Sequence, residues 1–103
     1  MLGRSVTIAA SGTLSGSIKI GENDMVGLLI PTIETAICYV NGSLDDITYS
    51  RIQKEDGSAD LNMASGTGAK AWILPSRFPF PYLKVETSAT QTAARVITVC
   101  AKK

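Results

Sequence analysis

The sequence predicts an all-β fold, a mainly antiparallel β-sandwich of about eight short strands. Three observations carry this. Segments rich in Val, Ile, Thr and Tyr recur roughly every 12 residues. Turn-forming residues separate them, and no helix-length run lies between. Few connections are long enough for a crossover helix, so the pairing should be antiparallel. Jelly-roll-like and immunoglobulin-like connections both fit this spacing, and the jelly-roll-like sandwich is the expected architecture.

Each element follows from its own residues. Residues 5–9 alternate, with Val6 and Ile8 on one face. Gly12, Gly16 and Gly21 break the chain around residues 17–20, where Ile18 and Ile20 point inward. Met25–Ile30 is nearly continuous apolar sequence, which predicts a central strand covered on both sides. Residues 31–35 have room for a turn of helix. Residues 37–40 form the next strand, with either Ile37 and Tyr39 or Cys38 and Val40 inward. Asn41-Gly42 and Asp56-Gly57 are tight-turn dipeptides. Between them, residues 46–52 place Ile47, Tyr49 and Arg51 on one side. Residues 69–74 put Trp72 and Leu74 on one face. Pro75, Pro79 and Pro81 forbid regular helix and leave Phe78 and Phe80 on a stiff, extended segment. Tyr82–Thr87 alternates Leu83 and Val85 against Lys84 and Glu86. Ser88 to Gln91 has capping-box spacing, although Thr90 and Thr92 are poor helix formers. Residues 95–101 close the sandwich, with Ile97 and Val99 facing one way.

The chain has 103 residues, the size of a single domain, residues 1–103. Area scaling gives roughly 5,600 Å² exposed when folded, enough for one core but not for a core plus a deep drug-sized pocket. Apolar residues make up 45%, which supports burial and argues against disorder. Ten basic and nine acidic residues leave a net charge of +1, so there is no basic excess of the kind that binds nucleic acid. There is no histidine, which removes imidazole metal sites and nucleophile–imidazole mechanisms. Cys38 and Cys100 lie in apolar runs and read as buried free thiols. No N-terminal apolar run has signal-peptide length, and Met25–Ile30 is far short of the roughly 20 residues that cross a bilayer. A product that stays soluble in the cytoplasm, without a membrane partner, is expected.

The motifs weigh against catalysis. Ser65-Gly66-Thr67-Gly68-Ala69-Lys70 lacks the glycine spacing and following hydroxyl of a phosphate loop, and reads as a plain interstrand loop. Asp45, Asp46, Glu55, Asp56 and Asp60 fall in polar loops without EF-hand spacing, and read as solvated. No residue stands ready as base for a serine or threonine, since Lys19, Lys54, Lys70 and Lys84 occupy polar or alternating contexts. We therefore expect no enzyme activity and no cofactor. Six scattered aromatics make no base-stacking platform. Phe78 and Phe80 either pack over the open end of the sandwich or stand exposed as anchors for a neighbour. Arg4, Lys19, Lys84, Lys102 and Lys103 guard strand edges. Phe78, Phe80, Tyr82, Lys102 and Lys103 are the candidate protein-interface residues. Trp72 with Asp60 and Asn62 is the single grouping suited to a glycan.

One resemblance covers nearly the whole chain. Its residues are Thr7-Ile8-Ala9-Ala10-Ser11-Gly12-Thr13-Leu14-Ser15-Gly16 and Met25-Val26-Gly27-Leu28-Leu29-Ile30-Pro31. Further on come Asn41 to Asp46 and Asp56-Gly57, then Tyr82-Leu83-Lys84-Val85, Gln91, Ala94-Arg95 and Ile97-Thr98-Val99. In these the chain resembles small bacteriophage virion proteins of the capsid decoration, or auxiliary head, type. It departs from them in lacking a tryptophan after Pro31 and in its three-proline segment. The resemblance implies a β-sandwich, assembled in the host bacterial cytoplasm, that sits in the virion on the outside of the head. It implies binding to the major capsid protein or another virion protein, and to copies of itself. It transfers no active site, and its interfaces are not assigned residue by residue. The alternative is a tail, fibre or head-fibre component that holds a receptor or glycan.

Overall fold

Alternation of apolar and polar side chains builds the sandwich. The structure, a computed structural model, describes residues 2–33, 37–54, 57–64, 70–74 and 77–103. Among these residues there are nine strands: β1 (Leu2–Ile8), β2 (Ile18–Lys19), β3 (Met25–Ile30), β4 (Ile37–Ser43), β5 (Ser50–Arg51), β6 (Asn62–Ala64), β7 (Lys70–Ile73), β8 (Tyr82–Thr87) and β9 (Arg95–Lys102). They form a four-stranded sheet, β1-β9-β3-β7, and a five-stranded sheet, β2-β8-β4-β5 with β6 also on β4. Every strand pairing is antiparallel.

β5 and β6 are two pieces of one edge strand. Arg51 lies opposite Asn41, Asn62 opposite Tyr39 and Met63 opposite Cys38. Between the pieces the Ile52 N–H donates to the Val40 carbonyl at 2.9 Å, and the Leu61 N–H to the Ile52 carbonyl at 2.9 Å. Gln53 and Asp60 bridge each other where the two pieces part from and rejoin each other. With the two pieces counted as one strand, the sheets read 1-8-3-6 and 2-7-4-5, the strand order of a jelly roll.

The inward faces meet in one core. Val6, Ile8, Val26, Leu28, Ile97 and Val99 come from the four-stranded sheet, and Ile18, Cys38, Val40, Leu83 and Val85 from the other. Full burial of each Val, Leu or Ile side chain is worth about 1.5–3 kcal/mol. The alternation in residues 5–9, 17–20, 82–87 and 95–101 was therefore legible. In β4 it is Cys38 and Val40 that face inward, both at 0% exposure. The accessible surface is 5662 Å², in line with the area scaling for a chain of this size.

Several expectations change. β3 is central but covered on one side only: Val26, Leu28 and Ile30 are buried, while Met25 and Leu29 are 44% and 50% exposed. The Asn41-Gly42 pair makes no turn and continues β4. The space beside Gly42 belongs to an aromatic ring, since a Cβ there would meet Phe80 Cδ2 at 2.6 Å and Cγ at 2.8 Å. The chain instead reverses over residues 44–48. There Asp45 Oδ1 accepts the Ile47 and Thr48 N–H groups, each at 2.9 Å, and Asp46 has φ 62°. The strand expected over residues 46–52 shrinks accordingly to Ser50–Arg51, and Ile47 is exposed.

The capping-box spacing before residue 92 starts no helix, because Gln91 turns inward and anchors the segment to residues 11 and 12. Lys84 guards no edge, since β8 lies between β2 and β4; its Nζ sits 4.6 Å from the Tyr49 ring centroid. Arg4 and Lys19 do lie on edge strands. Both thiols are free, but only Cys38 is buried, and Cys100 is half-exposed on an outer face. The expected helical turn over 31–35 lies partly, and the loop over 65–70 mostly, outside the described residues, as do Glu55 and Asp56. Gly57 does turn, with φ 70° and its N–H donating to the Lys54 carbonyl at 2.8 Å.

Candidate functional site

All five sequence-picked interface residues lie at one end of the sandwich, where β3 and β8 begin and β4 and β9 finish. Segment 22–24 ties that end together. The Arg77 Nη1 donates to both Asp24 carboxylate oxygens at 2.7 Å, and the Phe78 N–H donates to the Asp24 carbonyl. On its other side the Asp24 N–H donates to the Lys102 carbonyl at 3.2 Å, and Lys103 Nζ lies 3.5 Å from Glu22.

The five side chains do not share one patch. Phe78 is buried and Phe80 half-buried, their rings edge-to-face at 5.4 Å, a favourable aromatic geometry. They pack over the mouth of the sandwich. Tyr82 lies on the outer face of the five-stranded sheet, opposite Ser43 and Lys19. Lys102 and Lys103 are exposed at the end of β9.

Phe78 and Phe80 line a groove of about 570 Å³ with Leu74, Ile52 and Leu61. The area arithmetic anticipated no hollow of this size. It lies between the edge strand, at Ser50 to Gln53 and Leu61, and Leu74 with residues 77–80.

The outer face of the five-stranded sheet carries a charged network. Arg51 forks onto Glu86, with Nη2 to Oε2 at 2.8 Å and Nε to Oε1 at 3.0 Å. Its Nη1 reaches Asp60 at 3.0 Å, and its guanidinium lies 4.0 Å above the Tyr39 ring. Asn41 Nδ2 also donates to Glu86 at 3.1 Å, and Gln53 Nε2 donates to Asp60. The Arg51 hydrogen bonds hold the Glu86 carboxyl below its ordinary value, and Gln53, then Arg51, do the same for Asp60. Glu86 and Asp60 in turn hold the Arg51 guanidinium further toward its charged form. None of these three groups exchanges a proton near neutrality, so the network fixes structure and is not poised for acid–base work. Elsewhere, burial pushes the Cys38 thiol up to about 11, and burial followed by the hydrogen bond to Asp46 pushes the Tyr49 hydroxyl to about 12.

The outer face of the four-stranded sheet is the opposite. One row across it reads Gly3, Cys100, Gly27, Ile73, and the next reads Ser5, Thr98, Leu29, Ala71. Neither row holds a charge. Sequence reasoning missed this face, because its members come from four separate strands and share a surface only once the strand order is known. The glycan grouping is not assembled. Trp72 packs against the core from the four-stranded sheet, while Asp60 and Asn62 belong to the other. Among the described residues no three Cys, Asp or Glu side chains converge as metal ligands.

The fold and its surfaces define a class: a jelly-roll sandwich with one outer face that carries a charged network and one whose described residues include a single charge, Lys102. No protein-family model matches the chain, and no curated protein matches it.

Proposed function

We propose that this chain is a bacteriophage virion structural protein, a capsid decoration or cement module that binds the outer surface of the head and stabilises it. The observation that carries the reading is the inequality of its two outer faces. A module clamped to a shell must give up water on one side and keep it on the other. Burying the outer face of the four-stranded sheet meets a single charge among its described residues, Lys102 in its end row, whereas burying the other face would desolvate the whole Arg51 network. The jelly-roll order supports the reading by analogy, since viral coat domains use it, as do lectins. The sequence resemblance points the same way. A net charge of +1 lets many copies crowd together with little repulsion. Individually weak contacts then gain strength through repetition on a symmetric shell.

The test is copy number. Purified particles should contain the chain in a ratio of one or a few to each major capsid subunit, and particles stripped of it should lose integrity at lower temperature. A handful of copies per particle would instead support a tail or fibre component.

A further inference from the structure

We infer that the groove beside β5 binds an extended peptide, which adds a strand to the five-stranded sheet and carries a basic side chain between two apolar ones. The inference stands apart from the virion reading and uses only the groove and the strand that borders it.

The backbone of β5 asks for another strand. β5 is the last strand on its side of the sheet. Arg51 lies opposite Asn41, and the next residue, Ile52, donates its N–H to the Val40 carbonyl at 2.9 Å. Bonded positions alternate along an antiparallel pair. Arg51 therefore turns its N–H and C=O away from β4, toward the open side. Among the described residues its N–H meets no acceptor, and its carbonyl accepts only Gln53 Nε2, at 3.4 Å. A donor and an acceptor side by side on a strand edge match an extended backbone, which offers both at the same spacing. A lipid tail offers neither.

Alternation then sets the side chains. The added residue opposite Arg51 shares the outer face with it, and the residues on either side point inward. Inward lies the groove of about 570 Å³, walled by Ile52, Leu61, Leu74, Phe78 and Phe80. The two inward side chains are therefore apolar. Charge sets the outward one. Among the described residues, the charged groups that line the groove are Arg51, Arg77 and Asp45, and the ion-pair partners of the two arginines are Glu86, Asp60 and Asp24. Four negative groups face two positive ones, so a lysine or arginine is the complement.

Nuclear magnetic resonance titration of the isotope-labelled full chain tests this. The probe is a capped pentapeptide of threonine, valine, lysine, valine and threonine. We expect saturation with a dissociation constant of about 0.1–1 mM, with shifts centred on Ser50 to Gln53, Leu61 and Leu74. Hydrogen exchange at the Arg51 N–H should slow by about tenfold or more at saturation. The controls alter the peptide and leave the fold untouched. N-methylation of the central lysine removes the N–H that meets the Arg51 carbonyl, and should weaken binding by about fivefold or more. Glutamate in place of that lysine should weaken it by about threefold or more, and serine in place of both valines should abolish it. No saturation up to about 5 mM, saturation without slowing at Arg51, or equal binding by any control peptide would each overturn the inference. So would decanol that fills the groove while the peptide does not, which would assign it to a small apolar molecule.

Discussion

Gly42 shows how much one missing methyl group decides. Its neighbour is the Phe80 ring, with Phe78 Cζ 3.1 Å from the position a Cβ would take. Gly42→Ala should push both rings off their rotamers and cost about 1–3 kcal/mol. A lower urea midpoint with an unchanged slope would show it. Arg51 sets the acid limb of stability. Unfolding returns Glu86 and Asp60 to ordinary values of about 4.3 and 3.9. Because the folded values are depressed, their contribution is present above those values and is lost as pH falls through the folded ones. Stability should hold from neutrality to about pH 5 and decline below about pH 4. Arg51→Ala removes the main cause at Glu86, so the drop between pH 7 and pH 3 in urea melts should shrink. Its cost at pH 7 should be about 1 kcal/mol or less, since the Arg51 side chain is 37% exposed and solvent screens the pair.

At the scale of elements, the segment after β8 is held by a buried amide in place of a helix. The Gln91 N–H donates to the Gly12 carbonyl at 3.2 Å, and the Gln91 carbonyl accepts the Ser11 N–H at 2.7 Å. Its side-chain Nε2 donates to the Ala89 carbonyl at 3.1 Å, and Arg95 Nε donates to its Oε1 at 3.3 Å. Gln91→Ala should cost about 2–3 kcal/mol through the void and the lost partners. Calorimetry would show this as a melting temperature several degrees lower. Gln91→Glu, which places a charge at 0% exposure, should be at least as damaging near neutrality. Strand alternation was legible because a period of two is a local property, as at Val6 and Ile8 or Leu83 and Val85. Asn41-Gly42 was misread because the partner that decides it, Phe80, sits on a distant segment; the weak helix formers Thr90 and Thr92 did signal that the capping-box spacing at Ser88 to Gln91 starts no helix. β6 went unseen because three residues, Asn62–Ala64, show no period at all.

For the whole molecule, topology governs how the chain reaches its fold. β1 pairs with β9 along its full length, joining the two ends of the chain. Pairings of such long sequence separation must close large loops before contacts reward them. Stopped-flow refolding should accordingly fall between milliseconds and seconds; a microsecond phase carrying the full amplitude would contradict this. The candidate site was only partly legible at this scale. The stiff phenylalanine segment could be picked out from its prolines, and Phe78 and Phe80 do seal one end. The groove they line draws on Ser50 to Gln53, Leu61 and Leu74, segments far apart in sequence, which no pattern in residues 46–52 announces. A net charge near zero likewise averages over two unlike faces, and only strand order separates them.

The detour between Gln53 and Asp60 departs from an edge and returns to the same spot. Its ends are clamped by their bridge and by the Lys54 N–H donating to the Ala59 carbonyl at 2.9 Å. Foreign sequence spliced between the exposed Gly57 and Ser58 would be held by ends already fixed together at Gln53 and Asp60, and lengthening such a closed loop adds little entropic cost. The domain thus comes with a ready-made mast, on which a peptide epitope can be flown without altering the hull.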